Sequence, residues 1–193
     1  MIPRAVAICL FFWLCGQPIL AGAYPCREIV ETDVTYQASP ILTVVGKRAR
    51  ADGAPWAAIL EGNVDQVRDN YEAISKIAVA YDDAELVERI SDGVLFDVST
   101  EQKFAVLAAA ALCNSPRSAQ AILKLGVPAG YRTPGHADAM ATAILEGSAD
   151  VIGVLLANGY ADCTQAIGYR SKSAELAKVR GMNGLHEELS ACH

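Results

Sequence analysis

The stretch Ala143–Asp162 reads AILEGSADVIGVLLANGYAD. Two apolar runs flank a polar break at Glu146-Gly147-Ser148, and Gly159 closes the second run. Its opening has a near-copy 85 residues upstream, AILEGNVDQV at Ala58–Val67. Gly93, Gly126 and Gly159 then fall 33 and 33 residues apart. Each ends an amphipathic run: AELVERISDG, SAQAILKLG and ADVIGVLLANG. Twelve residues before each lies a short polar break, at Tyr81, Asn114 and Gly147. Apolar residues at helical spacing interrupted in this way predict a recurring unit: helix, tight turn, helix, glycine, longer loop.

The residue types at these points suit that unit. A glycine just past a helix can take the left-handed conformation that closes the last carbonyls. Asp82, Ser115 and Ser148 stand where second helices begin, and their side-chain oxygens can accept from free backbone N–H groups. The runs FAVLAAAAL (Phe104–Leu112) and DAMATAIL (Asp138–Leu145) are alanine-rich, which permits close approach between neighbouring first helices.

A period of 33 with two short helices resembles the ankyrin repeat. The likeness is best over Asp138–Asp162, with its turn glycine, double leucine and terminal glycine. The tetrapeptide TPGH, Thr133–His136, looks like the family's repeat start but lies five residues out of register, so it reads as a loop. The resemblance spans Gly53–Cys192 and implies an all-α, helical-hairpin solenoid of about four to five repeats. Longer tetratricopeptide-type helices fit the turns less well, and a generic hairpin solenoid is the alternative. GAPWAAILEG (Gly53–Gly62) reads as a first helix and its turn. From there either one loop is missing or Val64–Ala80 forms one longer helix.

Three segments follow from this reading. Residues 1–23, with Arg4, an apolar run and Ala21-Gly22-Ala23, read as a cleaved signal peptide. Residues 24–50 carry β-branched residues without helical period and read as an extended N-terminal segment. Residues 51–193 form the repeat domain. Without Arg4 the remaining chain has 15 basic against 22 acidic residues, a net charge of −7. That balance, with no basic run, argues against nucleic acid as partner. The expected mature chain is a monomer, periplasmic or secreted, without stable membrane insertion.

Four cysteines remain after the signal: Cys26, Cys113, Cys163 and Cys192. In an exported chain they read as two disulfides, with three possible connectivities. No Cys-x-x-Cys pair or histidine spacing suggests a metal site. On the implied hairpins, Cys163 and Cys192 come close at the two ends of the last unit, which leaves Cys26 for Cys113.

No constellation for catalysis or for a cofactor stands out. There is no G-x-S-x-G elbow and no phosphate loop. His136 reads as a loop histidine, His186 as a solvated helix position, and Asp82-Asp83 as helix-capping residues. Glu61 and Glu146 recur at one point of two units, too far apart across a stack to act together. What remains is a non-catalytic face for another protein. The loops between units carry Phe96, Asp97, Tyr131, Arg132, His136, Tyr160 and Asp162, and this set is the expected contact edge. Ankyrin-like modules occur among immunity proteins, so neutralisation of a delivered toxin is the function the resemblance implies. A scaffold for envelope or oxidative-stress enzymes, or a host-directed effector, are the alternatives.

Overall fold

The computed structural model describes residues 26–32, 39–51, 54–131, 137–160 and 167–191, with backbone alone for 167–171. The signal-peptide reading, TPGH and Cys163 with Cys192 lie outside the described residues. Among the described residues every regular element is helical. The helices are α1 (Cys26–Thr32), α2 (Pro40–Arg50), α3 (Trp56–Glu61), α4 (Val64–Asp69), α5 (Tyr71–Ala80) and α6 (Ala84–Ser91). They continue as α7 (Thr100–Cys113), α8 (Pro116–Lys124), α9 (Ala139–Glu146), α10 (Ala149–Ala157), α11 (Ile167–Val179) and α12 (Asn183–Ser190).

Four hairpins, α5–α6, α7–α8, α9–α10 and α11–α12, close with the same turn. A left-handed residue follows each first helix: Asp82 (φ 50), Asn114 (φ 49), Gly147 (φ 72) and Gly181 (φ 73). The next N–H then reaches back over the helix end to an alanine carbonyl. These bonds are Asp83 to Ala78 at 2.8 Å, Ser115 to Ala110 at 2.9 Å, Ser148 to Ala143 at 2.8 Å and Met182 to Ala177 at 2.8 Å. That six-to-one bond is the Schellman closure, which satisfies carbonyls the helix leaves open. All four alanines are fully buried. The left-handed residues are 32, 33 and 34 apart. Gly93, Gly126 and Gly159, also left-handed at φ 84, 86 and 84, end the second helices at the expected spacing.

The helices pack in two rows. First helices contact their successors in the order α2, α5, α7, α9, α11, and the second row runs α3, α6, α8, α10. Equivalent residues fill the space between the rows: Leu107 and Met140 from first helices, Ile90, Ile122 and Leu155 from second helices, all at most 1% exposed. Burial of that apolar surface is what holds helices of six to fourteen residues, too short to persist alone in water.

The N-terminal region differs from the sequence expectation. The segment expected to be extended holds α1 and α2. Ser39 has extended backbone and Pro40 takes the first helical position, where its missing N–H costs nothing. Ile41, Leu42, Val45 and Gly46 then form one buried face. Packing against α5 overrides the β-branched composition there. Val64–Ala80 is not one helix, since Asn70 (φ −113, ψ 19) separates α4 from α5.

The repeated phrase itself has two structures. At Gly147 the chain turns left-handed. At Gly62 it stays right-handed (φ −74, ψ −8) and continues through Asn63 into α4. Moreover α3 packs against α6, in the second row, whereas α9 belongs to the first. Glu61 and Glu146 are therefore not equivalent positions.

Candidate binding surface

The capping of second helices crosses from unit to unit. Asp83, not Asp82, caps its own helix α6 by accepting from Leu86 N at 3.0 Å. Asp82 instead accepts from Ser118 N at 2.7 Å and Arg117 N at 3.2 Å, at the start of α8 in the next hairpin. Asn114 repeats this one unit on, accepting from Val151 N at 3.4 Å and donating to Asp150 Oδ2 at 3.0 Å. Ser115 and Ser148 make no cap bond in their own helices. Ser115 Oγ donates instead to Val79 O of the preceding hairpin at 2.7 Å. Gly147 offers no side chain, and there Arg180 Nη2 donates to Leu145 O at 2.6 Å. These bonds fix neighbouring hairpins in register along the turn edge, so their first helices share one surface.

That surface is apolar at a repeated place. Two residues before each left-handed residue stand Ala80, Leu112, Leu145 and Val179. Ala80 is buried and Leu112 half-buried, while Leu145 is 47% and Val179 82% exposed. Three apolar side chains at one position of three successive helices form a ridge across the first-helix row. Towards α5 the same face holds a groove of about 360 Å³ between α4, α5 and α7. Ser75, Val106 and Ala109 lie in its floor, and Arg68, Glu72, Lys76 and Gln102 on its rim. Lys76 pairs with Glu72 at 2.6 Å and Arg68 with Asp65 at 2.9 Å, exposed pairs that add little to stability. Ser75 Oγ donates to Tyr71 O at 2.7 Å, so its proton is committed to the backbone. This combination of an apolar floor and a charged rim suits recognition of a macromolecule.

The contact edge expected from the sequence is a different set. Its three aromatic residues turn inward. Tyr160 is 2% exposed, and its hydroxyl donates to Asp138 Oδ2 at 2.8 Å. That proton being used, Ser173 Oγ donates to the phenol oxygen at 3.0 Å, tying the third hairpin to the fourth. Phe96 is half-buried edge-on to Tyr71, with ring centroids 5.9 Å apart. Tyr131 is half-buried against Phe104 at 5.4 Å. Phe96 and Tyr131 thus pack back on the first helix of their own hairpin, α5 and α7, and Tyr160 alone of the three bonds across to the next. Asp97 is exposed, and Arg132, His136 and Asp162 lie outside the described residues. His186, expected as a solvated helix position, is half-buried. Its ring sits 2.9 Å from Ala174 O, and since a carbonyl only accepts, Nδ1 carries the proton. The ridge residues were readable once the turns were in register, by counting back two positions from each left-handed residue.

Cys26 and Cys113 form a disulfide, their Cα atoms 5.8 Å apart, as expected. Among the described residues no helix is long and apolar enough to cross a membrane, and no cluster of three or more metal-ligating side chains occurs. Comparison with protein-family models, curated proteins and solved structures returned no match.

Proposed function

We propose that the chain is a non-catalytic protein-binding module built as an ankyrin-like helical-hairpin solenoid, whose first-helix face receives the partner. The observation that carries this reading is the recurrence of Leu112, Leu145 and Val179 at one position of three hairpins that close alike. A row of equivalent apolar side chains on a rigid stack is continuous over several helices, which suits a macromolecule better than a small ligand. The disulfide between Cys26 and Cys113 supports a compartment outside the reducing cytosol, periplasmic or secreted. In that compartment the partner is a protein delivered there or resident there, and in the immunity reading it is a toxin.

The test uses surface variants. Leu145→Asp and Val179→Asp, singly and together, leave the buried core untouched and should keep the melting temperature within a few degrees, as surface changes usually do. Wild type should capture one specific protein from the exported fraction of its source. The double variant should bind that protein at least ~10-fold more weakly, since an apolar anchor truncated at an interface costs over ~1 kcal/mol. Undiminished binding by the double variant would remove the first-helix face as the binding surface. A toxin gene beside this one would support the immunity reading.

A further inference from the structure

We infer that α1 is a disulfide-held cover over the N-terminal end of the first-helix row, and that reduction of Cys26–Cys113 by a dithiol releases it while the hairpins stay folded. For the purpose of release this rests on the binding reading above; the release itself is a property of the free chain.

The first observation is how α1 is attached. None of its seven residues is buried. Besides the disulfide it is held by the half-buried Val30, which packs against the core, and by polar contacts at the end of α5. Arg27 Nε donates to Ala80 O at 3.1 Å, and the same guanidinium lies 5.4 Å from the centre of the Tyr81 ring. Tyr81 in turn donates to Glu31 Oε1 at 2.6 Å. Contacts of this kind at a wet surface are individually weak. A helix of seven residues also has no persistence of its own. With one half-buried aliphatic side chain against the core, the covalent bond is the main attachment, and it joins α1 to α7, 87 residues away in sequence.

The second observation is where α1 lies. Ala80, whose carbonyl Arg27 engages, is the first-hairpin counterpart of Leu112, Leu145 and Val179. Ala80 is 7% exposed, while Val179 at the far end of the series is 82% exposed. Cys113, the other anchor, directly follows Leu112. α1 therefore sits across the end of the ridge that a partner would follow from Val179 towards α5.

The chemistry balances with a dithiol as reductant. One thiolate of the reductant attacks a sulfur of the Cys26–Cys113 bond, which breaks to give a mixed disulfide and one free cysteine thiolate. The reductant's second thiol displaces the remaining cysteine. The reductant leaves as its own disulfide, and the protein gains two electrons and two protons as two thiols. Both cysteines are half-buried, so the bond lies at the surface of the stack and not within its core.

Hydrogen exchange and trypsin cleavage after Arg27 test this on the full chain, oxidised and treated with dithiothreitol, beside Cys26→Ser without reductant. The single variant isolates this bond from any other disulfide. Exchange over 26–32 should speed up by at least ~10-fold on reduction and be equally fast in Cys26→Ser, as expected for local opening. Protection over 74–80 and 107–112 should persist, and helix content should fall only by the share of α1. Unchanged protection of 26–32 after reduction would overturn the inference, because the noncovalent contacts would then hold α1 alone. Loss of protection throughout α5–α8 along with α1 would overturn it too, because the bond would then be a staple of the core. Neither outcome depends on a partner, so failure of the binding reading is separately visible.

Discussion

Asp82 belongs to one hairpin and caps the next. Its carboxylate takes two N–H groups at the start of α8, and its own backbone sits left-handed at φ 50. Asp and Asn tolerate that conformation better than other side-chain-bearing residues, and Asn114 does the same job one unit later. Asp82→Ala loses both the caps and the tolerance. It should lower unfolding free energy by about 1–3 kcal/mol in a urea titration, whereas Asp82→Asn should cost under about 1 kcal/mol. At the other face of that turn, burial, then the neighbouring Glu31 carboxylate, raises the Tyr81 phenol from 10.0 to about 12, against an opposing pull from Arg50. A raised pKa in the folded state favours the protonated form there. The contribution to stability is therefore complete below pH 10 and is lost as pH climbs towards 12. Tyrosinate absorbance should show Tyr81 ionising well above pH 10, and Glu31→Gln should bring it down. No downward movement in that variant would disconnect Glu31 from the phenol.

Elements show why sequence alone misread the N-terminal part. The phrase AILEG occurs at Ala58–Gly62 and Ala143–Gly147, yet only the second ends in a left-handed turn. Gly62→Ala should be neutral or slightly stabilising, since an added Cβ would meet only Ala58 O at 3.6 Å and φ is −74°. Gly147→Ala should cost about 1–2 kcal/mol, because its φ of 72° strains a Cβ. Comparing the two melting curves checks this; equal effects would mean the two phrases share one turn after all. The difference is set by tertiary packing. Trp56, fully buried, donates to Asp83 Oδ2 at 3.0 Å and is covered by Arg48 at 4.9 Å, which draws α3 onto α6. No local pattern encodes that contact between residues 27 apart. α2 was hidden likewise: its β-branched residues speak for a strand, and its helical face, Ile41, Leu42 and Val45, is decided by the partner helix α5. The turns, in contrast, were legible. Gly93, Gly126 and Gly159 announce themselves because few other residues adopt their conformation without cost. The proposed binding face was less so. Aromatic residues in loops draw the eye as anchors, but Tyr160 serves Asp138 and Ser173 inside the molecule. The exposed apolar positions are ordinary leucine and valine on helices, visible only after register is known.

At the scale of the whole molecule, the proposed function depends on the first helices lying side by side in order. Each unit then touches mainly its neighbours, and distance along the row grows with the number of helices crossed. Lys76, Ala108, Ala141 and Glu175 each stand six residues before a left-handed turn residue, on α5, α7, α9 and α11. Lys76 and Glu175 are exposed and can carry spin labels. Neighbouring helix axes lie about 8–10 Å apart, so three spacings place these labels roughly 25–30 Å apart, and the Ala141–Glu175 pair roughly 10 Å apart. Dipolar EPR on the two doubly labelled chains measures both. A long and a short distance in that ratio is the predicted result; a Lys76–Glu175 distance no greater than that of the neighbouring pair would contradict the row, and with it the ridge and its partner.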